Sequence, residues 1–306
     1  MRSPWLGRRV LVTGASGFIG AHTADRLAAL GAEVHGVSRR PPDRPGVIWH
    51  EADVTDAAAV DRLYADAAPE VVFHLASEVN GARDPGVVAG TLQANLVSTI
   101  HLLAGAHARP GTRVLLCGSS EEPRPANGQA PPPSPYAMAK WAATGYGQLF
   151  QRLWNVPVTI LRPTMVYGPA QRDTAKLVPY VTLALLRGEE PRLTSGAKVV
   201  DWVYVDDVVN AFVAAAETDV AVGQVLDVGT ATKTSVRESV ELLFQVVASV
   251  LGRNVPPPKF GAVYDRAHDI AQTADIGPTA ELLGWRPAVD LREGLRRTVE
   301  WYAARL

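Results

Sequence analysis

Tyr136 and Lys140 stand four residues apart in the run Ser134-Pro135-Tyr136-Ala137-Met138-Ala139-Lys140. Ser134 is a strong helix N-cap and Pro135 suits the first helical position, so both side chains leave one face of the helix that follows. A free phenol ionises only near pH ~10, and a neighbouring ammonium favours its ionised form. Such a pair moves a proton on or off a hydroxyl or carbonyl oxygen. Ser120, in Cys117-Gly118-Ser119-Ser120-Glu121-Glu122, follows an apolar strand-like run, and its hydroxyl is placed to orient a carbonyl for Tyr136. Ser119 is the second candidate for that task. Glu121 and Glu122 are candidate general bases, with solvated loop acids as the alternative reading.

The elements that position these groups alternate. Val10-Leu11-Val12, Glu33–Val37, Val47-Ile48-Trp49, Val71–Leu75, Val114-Leu115-Leu116 and Val158–Leu161 read as buried strands separated by helical patterns. Ile19, Thr23, Leu27 and Leu30 keep helical spacing up to Gly31. This is the signature of an α/β fold with a doubly wound parallel sheet, whose ligands lie beyond the carboxyl ends of the strands. After Gly168 the alternation loosens and prolines punctuate short segments. The expected division is a nucleotide-binding domain over 1–167, with 199–222 returning to its sheet, and a smaller substrate domain over 168–198 and 223–306. Val203 to Ala216 is expected to supply the returning strand and helix. The proline-rich stretch from Glu122 to Pro135 is expected to form a mobile loop near the active site.

Thr13-Gly14-Ala15-Ser16-Gly17-Phe18-Ile19-Gly20 joins the first strand to the first helix. Gly14 permits the tight turn, Gly17 opens backbone N–H groups to a pyrophosphate, and Gly20 lets helix and strand pack closely. A carboxylate at the end of the second strand would bind the ribose diol of NAD. Ser38-Arg39-Arg40 stands there instead and suits the 2′-phosphate of NADP. Asp53 is a candidate acceptor for the adenine amino group, Thr55 being the better N-cap for the next helix. His74 is read as a packed side chain, with Leu75, Ala76 and Ser77 closing the fourth strand against the cofactor.

The chain has 306 residues, 47% of them hydrophobic, and a formal net charge of −1. That charge gives no broad field for nucleic acid or an anionic membrane, so a phosphorylated ligand must be held locally. One cysteine, Cys117, excludes an internal disulfide and fits a reducing cytoplasm. With the glycine motif so early no leader is expected, and no uninterrupted apolar stretch approaches the roughly 20 residues of a membrane span. No metal-ligand set is among the candidates.

These residues resemble the extended short-chain dehydrogenase/reductases, the nucleotide-sugar epimerases, 4,6-dehydratases and 4-ketoreductases. The resemblance takes in the glycine motif, Asp53, Asn95, Ser120, Tyr136 and Lys140, then Leu161 to Pro169, Asp201 to Val208 and Leu283 to Pro287. It implies NADP(H) held by Gly14, Ser16, Gly17, Phe18, Ile19, Ser38, Arg39, Arg40, Asp53, Val54, Leu75, Ala76, Ser77, Asn95, Tyr136, Lys140 and Pro163. It implies catalysis by Ser120, Tyr136 and Lys140 with Glu121, a nucleotide-sugar substrate near Glu122, and a homodimer formed through a four-helix contact. Gly118 to Glu122 is similar to the active-site run of GDP-4-keto-6-deoxymannose reductases, and Gly36 to Arg39 to a segment of dTDP-4-keto-6-deoxyhexose reductases. Two departures stand out. Pro123 and Arg124 replace the family's Tyr-Gly pair, and Val200 replaces a diphosphate-binding arginine, for which Arg266 or Lys198 is the candidate substitute. The expected activity is therefore NADPH-dependent reduction of a dTDP- or GDP-linked 4-keto-6-deoxyhexose. A 4-epimerase and a 4,6-dehydratase are the enzymatic alternatives, and an NADP-sensing scaffold the non-enzymatic one.

Overall fold

The computed structural model describes residues 3–124, 132–265 and 273–306. They divide into two compact units. The first comprises Met1–Pro163, Val209–Asp227 and Gly277–Trp285. Its elements run β1 (Arg9–Thr13), α1 (Phe18–Ala29), β2 (Glu33–Ser38), β3 (Ile48–Glu51), α2 (Ala57–Ala67), β4 (Val71–His74), α3 (Val88–Leu92), α4 (Ser98–His107), β5 (Arg113–Cys117), α5 (Pro135–Trp154) and β6 (Val158–Pro163). The second unit comprises Thr164–Val208, Val228–Ile276 and Arg286–Leu306. The chain continues through β7 (Met165–Tyr167), α6 (Leu177–Leu186), β8 (Val199–Val200), β9 (Trp202–Tyr204), α7 (Val205–Ala216), β10 (Val225–Val228), β11 (Thr234–Ser235), α8 (Val236–Leu251), α9 (Gly277–Leu283) and α10 (Leu291–Ala303).

The large sheet has seven strands in the order β10-β6-β5-β4-β1-β2-β3. The pairings β1–β2, β1–β4, β2–β3, β4–β5 and β5–β6 are all parallel. Helices cover the sheet, which is why its central strands are continuous apolar runs rather than alternating ones: Val10, Leu11, Val12, Val71, Val72 and Phe73 are fully inaccessible. Each such side chain contributes about 1.5–3 kcal/mol by leaving water. Leu63, Tyr64, Leu102 and Leu103 pack against this core, and the Tyr64 hydroxyl donates to the Leu102 carbonyl at 2.7 Å, so the buried phenol carries no unmet polar group.

The order of strands corrects the expected return to the sheet. Val203 lies in β9, which pairs with β7 in a separate two-stranded sheet; the strand that adds to the large sheet is β10. The first boundary falls at Pro163 rather than 167, and 223–227 and 277–285 belong to the first unit. A three-residue strand such as Trp202–Tyr204 has the same β-branched and aromatic composition wherever it pairs, so composition does not say which sheet it joins.

Within the second unit Tyr167 meets Trp202 and Tyr204 edge to face. Gly294 makes room for that cluster, since a Cβ there would stand 2.1 Å from the Tyr167 hydroxyl. The helix N-termini follow ordinary capping chemistry. Ser134 caps α5 by accepting from the Ala137 N–H at 3.1 Å, with Pro135 at the first helical position, and Ser235 with Glu238 forms a capping box on α8. The cap of α2 is Asp56, which accepts from the Ala58 and Ala59 N–H groups, and not Thr55. Thr55 is drawn away because its own N–H and hydroxyl both donate to Asp53. Among the described residues one helical run, Pro85–His107, is long and apolar enough to cross a membrane, with mean hydropathy 1.4. Gln93, Asn95 and His101 are too few to lower that mean, which is how the run exceeds the expectation from sequence. Its α4 portion lies in the first unit, with Leu102 and Leu103 fully buried.

Candidate active site

Strand β5 ends at Cys117, and the loop from Gly118 to Arg124 continues from the carboxyl edge of the sheet. Gly118 is required there, because a Cβ would meet Glu122 Oε1 at 2.6 Å and Arg162 Cγ at 2.9 Å. The next residues close a tight turn. Glu122 donates its N–H to the Ser119 carbonyl at 3.1 Å, and its carboxylate Oε1 accepts from the Ser119 N–H at 2.7 Å. The Ser119 hydroxyl accepts from the Glu121 N–H at 3.1 Å and lies within hydrogen-bonding reach of the Tyr136 phenol. Ser120 is held differently, its N–H donating to the Pro163 carbonyl at 3.1 Å. The turn thus brings the Ser119 hydroxyl to Tyr136.

Lys140 is buried one turn beyond Tyr136, and its ammonium donates to the Cys117 carbonyl at 2.8 Å, 6.0 Å from the centre of the Tyr136 ring. Burial lowers its pKa, while Cys117 and Glu122 oppose that shift. Tyr136 is pushed above its ordinary value, chiefly by burial and then by Cys117, Glu121 and Glu122; the Ser119 hydroxyl acts the other way. The chain's own groups therefore keep the phenol protonated. The Lys140 ammonium is bonded to the Cys117 carbonyl, on the Tyr136 side of α5.

Glu122 is only 1% exposed, and burial pushes its carboxyl up to about 7 against the Ser119 N–H, the Thr144 hydroxyl and the charges of Arg162 and Lys140. Its second oxygen faces Thr144 without closing a hydrogen bond. Beside it lies an ion cluster. Arg162 directs Nε and Nη2 to Asp227 Oδ1, both at 2.9 Å, and Arg124 directs Nη1 to Oδ2 at 2.5 Å. Neither Asp227 nor its pairing with the two arginines was among the sequence candidates; the available signal was Arg124 itself, standing where the resemblance calls for Tyr-Gly.

The other half of the site is built from backbone. Gly14 takes φ +68°, a left-handed conformation, and a Cβ on it would stand 2.7 Å from the Ala76 nitrogen. A Cβ on Gly20 would stand 2.1 Å from the Gly14 carbonyl. Gly17 is the N-cap of α1 and no side chain caps that end. The N–H groups of the first turn are thus left for an external acceptor, which is the demand of a dinucleotide pyrophosphate. Phe18 and Ile19 open α1, and Leu75, Ala76 and Ser77 follow β4. Thr13 couples the two strands, its hydroxyl meeting His74 Nδ1 at 2.8 Å and accepting from the Ala76 N–H at 3.2 Å. Burial first, and Lys140 second, push His74 down to about 3, so it is a neutral packed imidazole. Asn95 is buried in a π-helical turn and accepts from the Ser77 hydroxyl at 2.7 Å and the Glu78 N–H at 3.1 Å. It fixes the loop that follows β4.

At the adenosine end the Ser38 hydroxyl meets Ser16 Oγ at 3.0 Å and accepts from the Arg40 N–H at 3.2 Å, while Arg39 and Arg40 are exposed. Asp53 Oδ1 accepts from the Thr55 N–H and hydroxyl, which holds the carboxyl below its ordinary range with help from Arg39. Val54 packs against the core. Pro163, besides holding Ser120, ends β6. Lys198 is an exposed residue of the second unit whose carbonyl accepts from the Val236 N–H, and Val200 is buried in β8. Arg266 and residues 125–131 of the proline-rich loop lie outside the described residues.

Residues 10–229 match the model of the NAD dependent epimerase/dehydratase family. A UDP-glucose 4-epimerase of Mycolicibacterium smegmatis is 32% identical, covering 96% of this chain and 98% of its own. A dTDP-glucose 4,6-dehydratase of the same organism is also 32% identical, covering 97% of this chain and 93% of its own. The structure of the UDP-glucose 4-epimerase of Thermotoga maritima with UDP-glucose is similar at a TM-score of 0.86 and 30% identity, over 97% of this chain and 99% of that one.

Proposed function

The chain belongs to the NAD-dependent epimerase/dehydratase family, of the extended short-chain dehydrogenase/reductase type, and from that premise we propose that it inverts the 4-hydroxyl of a nucleotide-activated sugar. Tyr136, as the phenolate that the positive charge of a bound oxidised nicotinamide would favour, takes the hydroxyl proton as the sugar is oxidised at C4 and returns it when the 4-keto sugar is reduced on its other face. Ser119 and Ser120 are the hydroxyls that orient the oxygen, and Lys140 supplies positive charge beneath. The dinucleotide, held by the Gly14–Gly20 turn and the loop after β4, supplies a reversible hydride acceptor.

The observation that carries epimerisation over 4,6-dehydration is the burial of Glu122. Elimination of water across C5 and C6 needs an acid and a base at the sugar, and Glu122 is committed to Ser119 and buried against Gly118. Reduction of a 4-keto sugar, the first expectation from sequence, becomes the second reading, since the relatives described above are epimerases and a dehydratase. It keeps one support. Ser38, Arg39 and Arg40 favour NADP(H), and a cofactor of that kind normally serves net reduction. Cofactor stoichiometry separates the two. Epimerisation of a UDP- or dTDP-hexose with no net change in reduced nicotinamide is the expected result. Stoichiometric oxidation of NADPH by a 4-keto nucleotide sugar, without interconversion of 4-epimers, would replace the first reading by the second.

The same reading extends to assembly and setting. Met138, Trp141, Leu149 and Leu153 recur at helical spacing along α5 and are 38–57% exposed, with Val88 and Leu92 of α3 equally open. This supports a homodimer formed through these helices, which a single-chain mass in sedimentation equilibrium would rule out; a cytoplasmic setting is part of the same proposal.

A further inference from the structure

Asp227, at the end of β10, is 3% exposed and carries no reacting group, yet each of its oxygens is occupied by a guanidinium. Arg162 Cγ and Glu122 Oε1 both lie against Gly118, 2.9 Å and 2.6 Å from where its Cβ would stand, and the charge of Arg162 acts on Glu122. Two oppositely charged side chains so placed would normally pair. They do not, because Arg162 spends Nε and Nη2 on Asp227 Oδ1, and Arg124 Nη1 takes Oδ2. Glu122 is left to the Ser119 N–H at 2.7 Å. That bond closes the turn that carries the Ser119 hydroxyl to Tyr136.

We propose that Asp227 is a positioning residue: by engaging Arg162 and Arg124 it withholds Arg162 from Glu122, and Glu122 is thereby kept as the anchor that aims Ser119 at Tyr136. The functional half of this statement rests on Ser119 and Tyr136 being the proton-transfer pair; the electrostatic half does not. The charged and titratable groups around Glu122 are Lys140 and Tyr136 from α5, Cys117 from β5, Arg162 from β6 and, through Arg162, Asp227 from β10. Arg162 and Arg124 are both bound to Asp227, and Arg162 is the one whose charge acts on Glu122, so removal of that carboxylate has a defined consequence. The guanidinium turns to Glu122, the carboxyl becomes more acidic, and the pull on the carboxylate shifts the acceptor of the Ser119 N–H.

The test is a titration of the whole protein carrying carbon-13 in its glutamate carboxyls, with the Glu122 signal identified by its loss in Glu122→Gln. In Asp227→Asn the Glu122 midpoint should fall by one pH unit or more, a tenfold change in acid strength, and the matching limb of the kcat profile should move with it. In Arg162→Gln/Asp227→Asn the midpoint should return toward that of the unaltered protein. An unchanged midpoint in Asp227→Asn, or a fall that persists in the double variant, overturns the proposal. If Asp227→Asn does not fold, Arg162→Gln decides alone: a rise of a full unit in the Glu122 midpoint would show that Arg162 already serves Glu122. Because the midpoint is read without turnover, a protein that shows the shift but no epimerisation refutes the proposed function and leaves the role of Asp227 standing.

Discussion

The turn Gly14–Gly20 and the loop Gly118–Arg124 leave the same edge of one sheet, after β1 and β5, and they are held in place by different means. The first is fixed by the absence of side chains: Gly14 and Gly20 sit where a Cβ would fall 2.7 Å and 2.1 Å from backbone atoms, and the open end of α1 is uncapped. The second is fixed by charge: Arg124 and Arg162 pair with the buried Asp227, and beside them the Glu122 carboxyl holds the Ser119 N–H. A backbone site presents the same donors at any pH. A charge-held loop changes with the protonation of its members. The pyrophosphate-binding turn should therefore be insensitive to pH, and the catalytic loop should not.

The largest effect expected from breaking this comparison lies at Tyr136. Tyr136→Phe keeps the ring on α5 and removes only the hydroxyl, so turnover should fall by about 10²- to 10⁴-fold. Dinucleotide affinity, set by the other end, should stay within a factor of about two. Steady-state rates with a calorimetric binding isotherm check both halves. A rate near that of the unaltered protein would remove Tyr136 from the chemistry.

The complementary change is Arg39→Ala with Arg40→Ala. A charge-assisted contact to a 2′-phosphate is worth about 1.5–3 kcal/mol, so NADP(H) should bind roughly 10- to 100-fold more weakly while NAD(H) is little altered. Titration of both cofactors against the double variant measures the split. Equal affinity for the two in the unaltered protein would withdraw the preference for NADP(H).

The two regions also differed in how far they could be read beforehand. Gly14, Gly17 and Gly20 lie within seven residues, and Ser134, Pro135, Tyr136 and Lys140 within seven more, so spacing alone places them on a turn and a helix. The parallel strands were legible for the same reason, each being a short apolar run. What escaped was non-local or directional. Arg124 and Asp227 are 103 residues apart, and nothing near either one announces the other. The choice between Ser119 and Ser120 depends on which side of the turn faces α5. The strand that completes the sheet is β10 and not Val203, a matter of pairing partners that composition leaves open. Lys140 sits where its spacing puts it, but its ammonium is spent on the Cys117 carbonyl rather than on the phenol.

The smallest expected effect is on stability, and it isolates one member of the charge cluster. Glu122 has an ordinary pKa of 4.5 and is raised to about 7 in the fold, so the native state holds its proton more tightly than the unfolded chain does. Its contribution is fully present below about 4.5 and is lost as the pH rises through about 7. His74 works in the opposite direction: lowered from 6.5 to about 3, it contributes above 6.5 and loses that contribution as the pH falls toward 3. Between 4.5 and 6.5 the two slopes oppose each other and flatten the profile of the unaltered protein. Glu122→Gln retains an acceptor for the Ser119 N–H and deletes the titration. Its stability should therefore rise with pH through that window, following His74 alone, and it should escape the loss of roughly 1 kcal/mol that Glu122 imposes between pH 6 and 8. Urea unfolding midpoints collected from pH 4.5 to 8 for both proteins test this. Parallel curves would mean that Glu122 keeps an ordinary proton affinity, and the contrast between a backbone-held and a charge-held end of the site would then rest on Arg124, Asp227 and Arg162 alone.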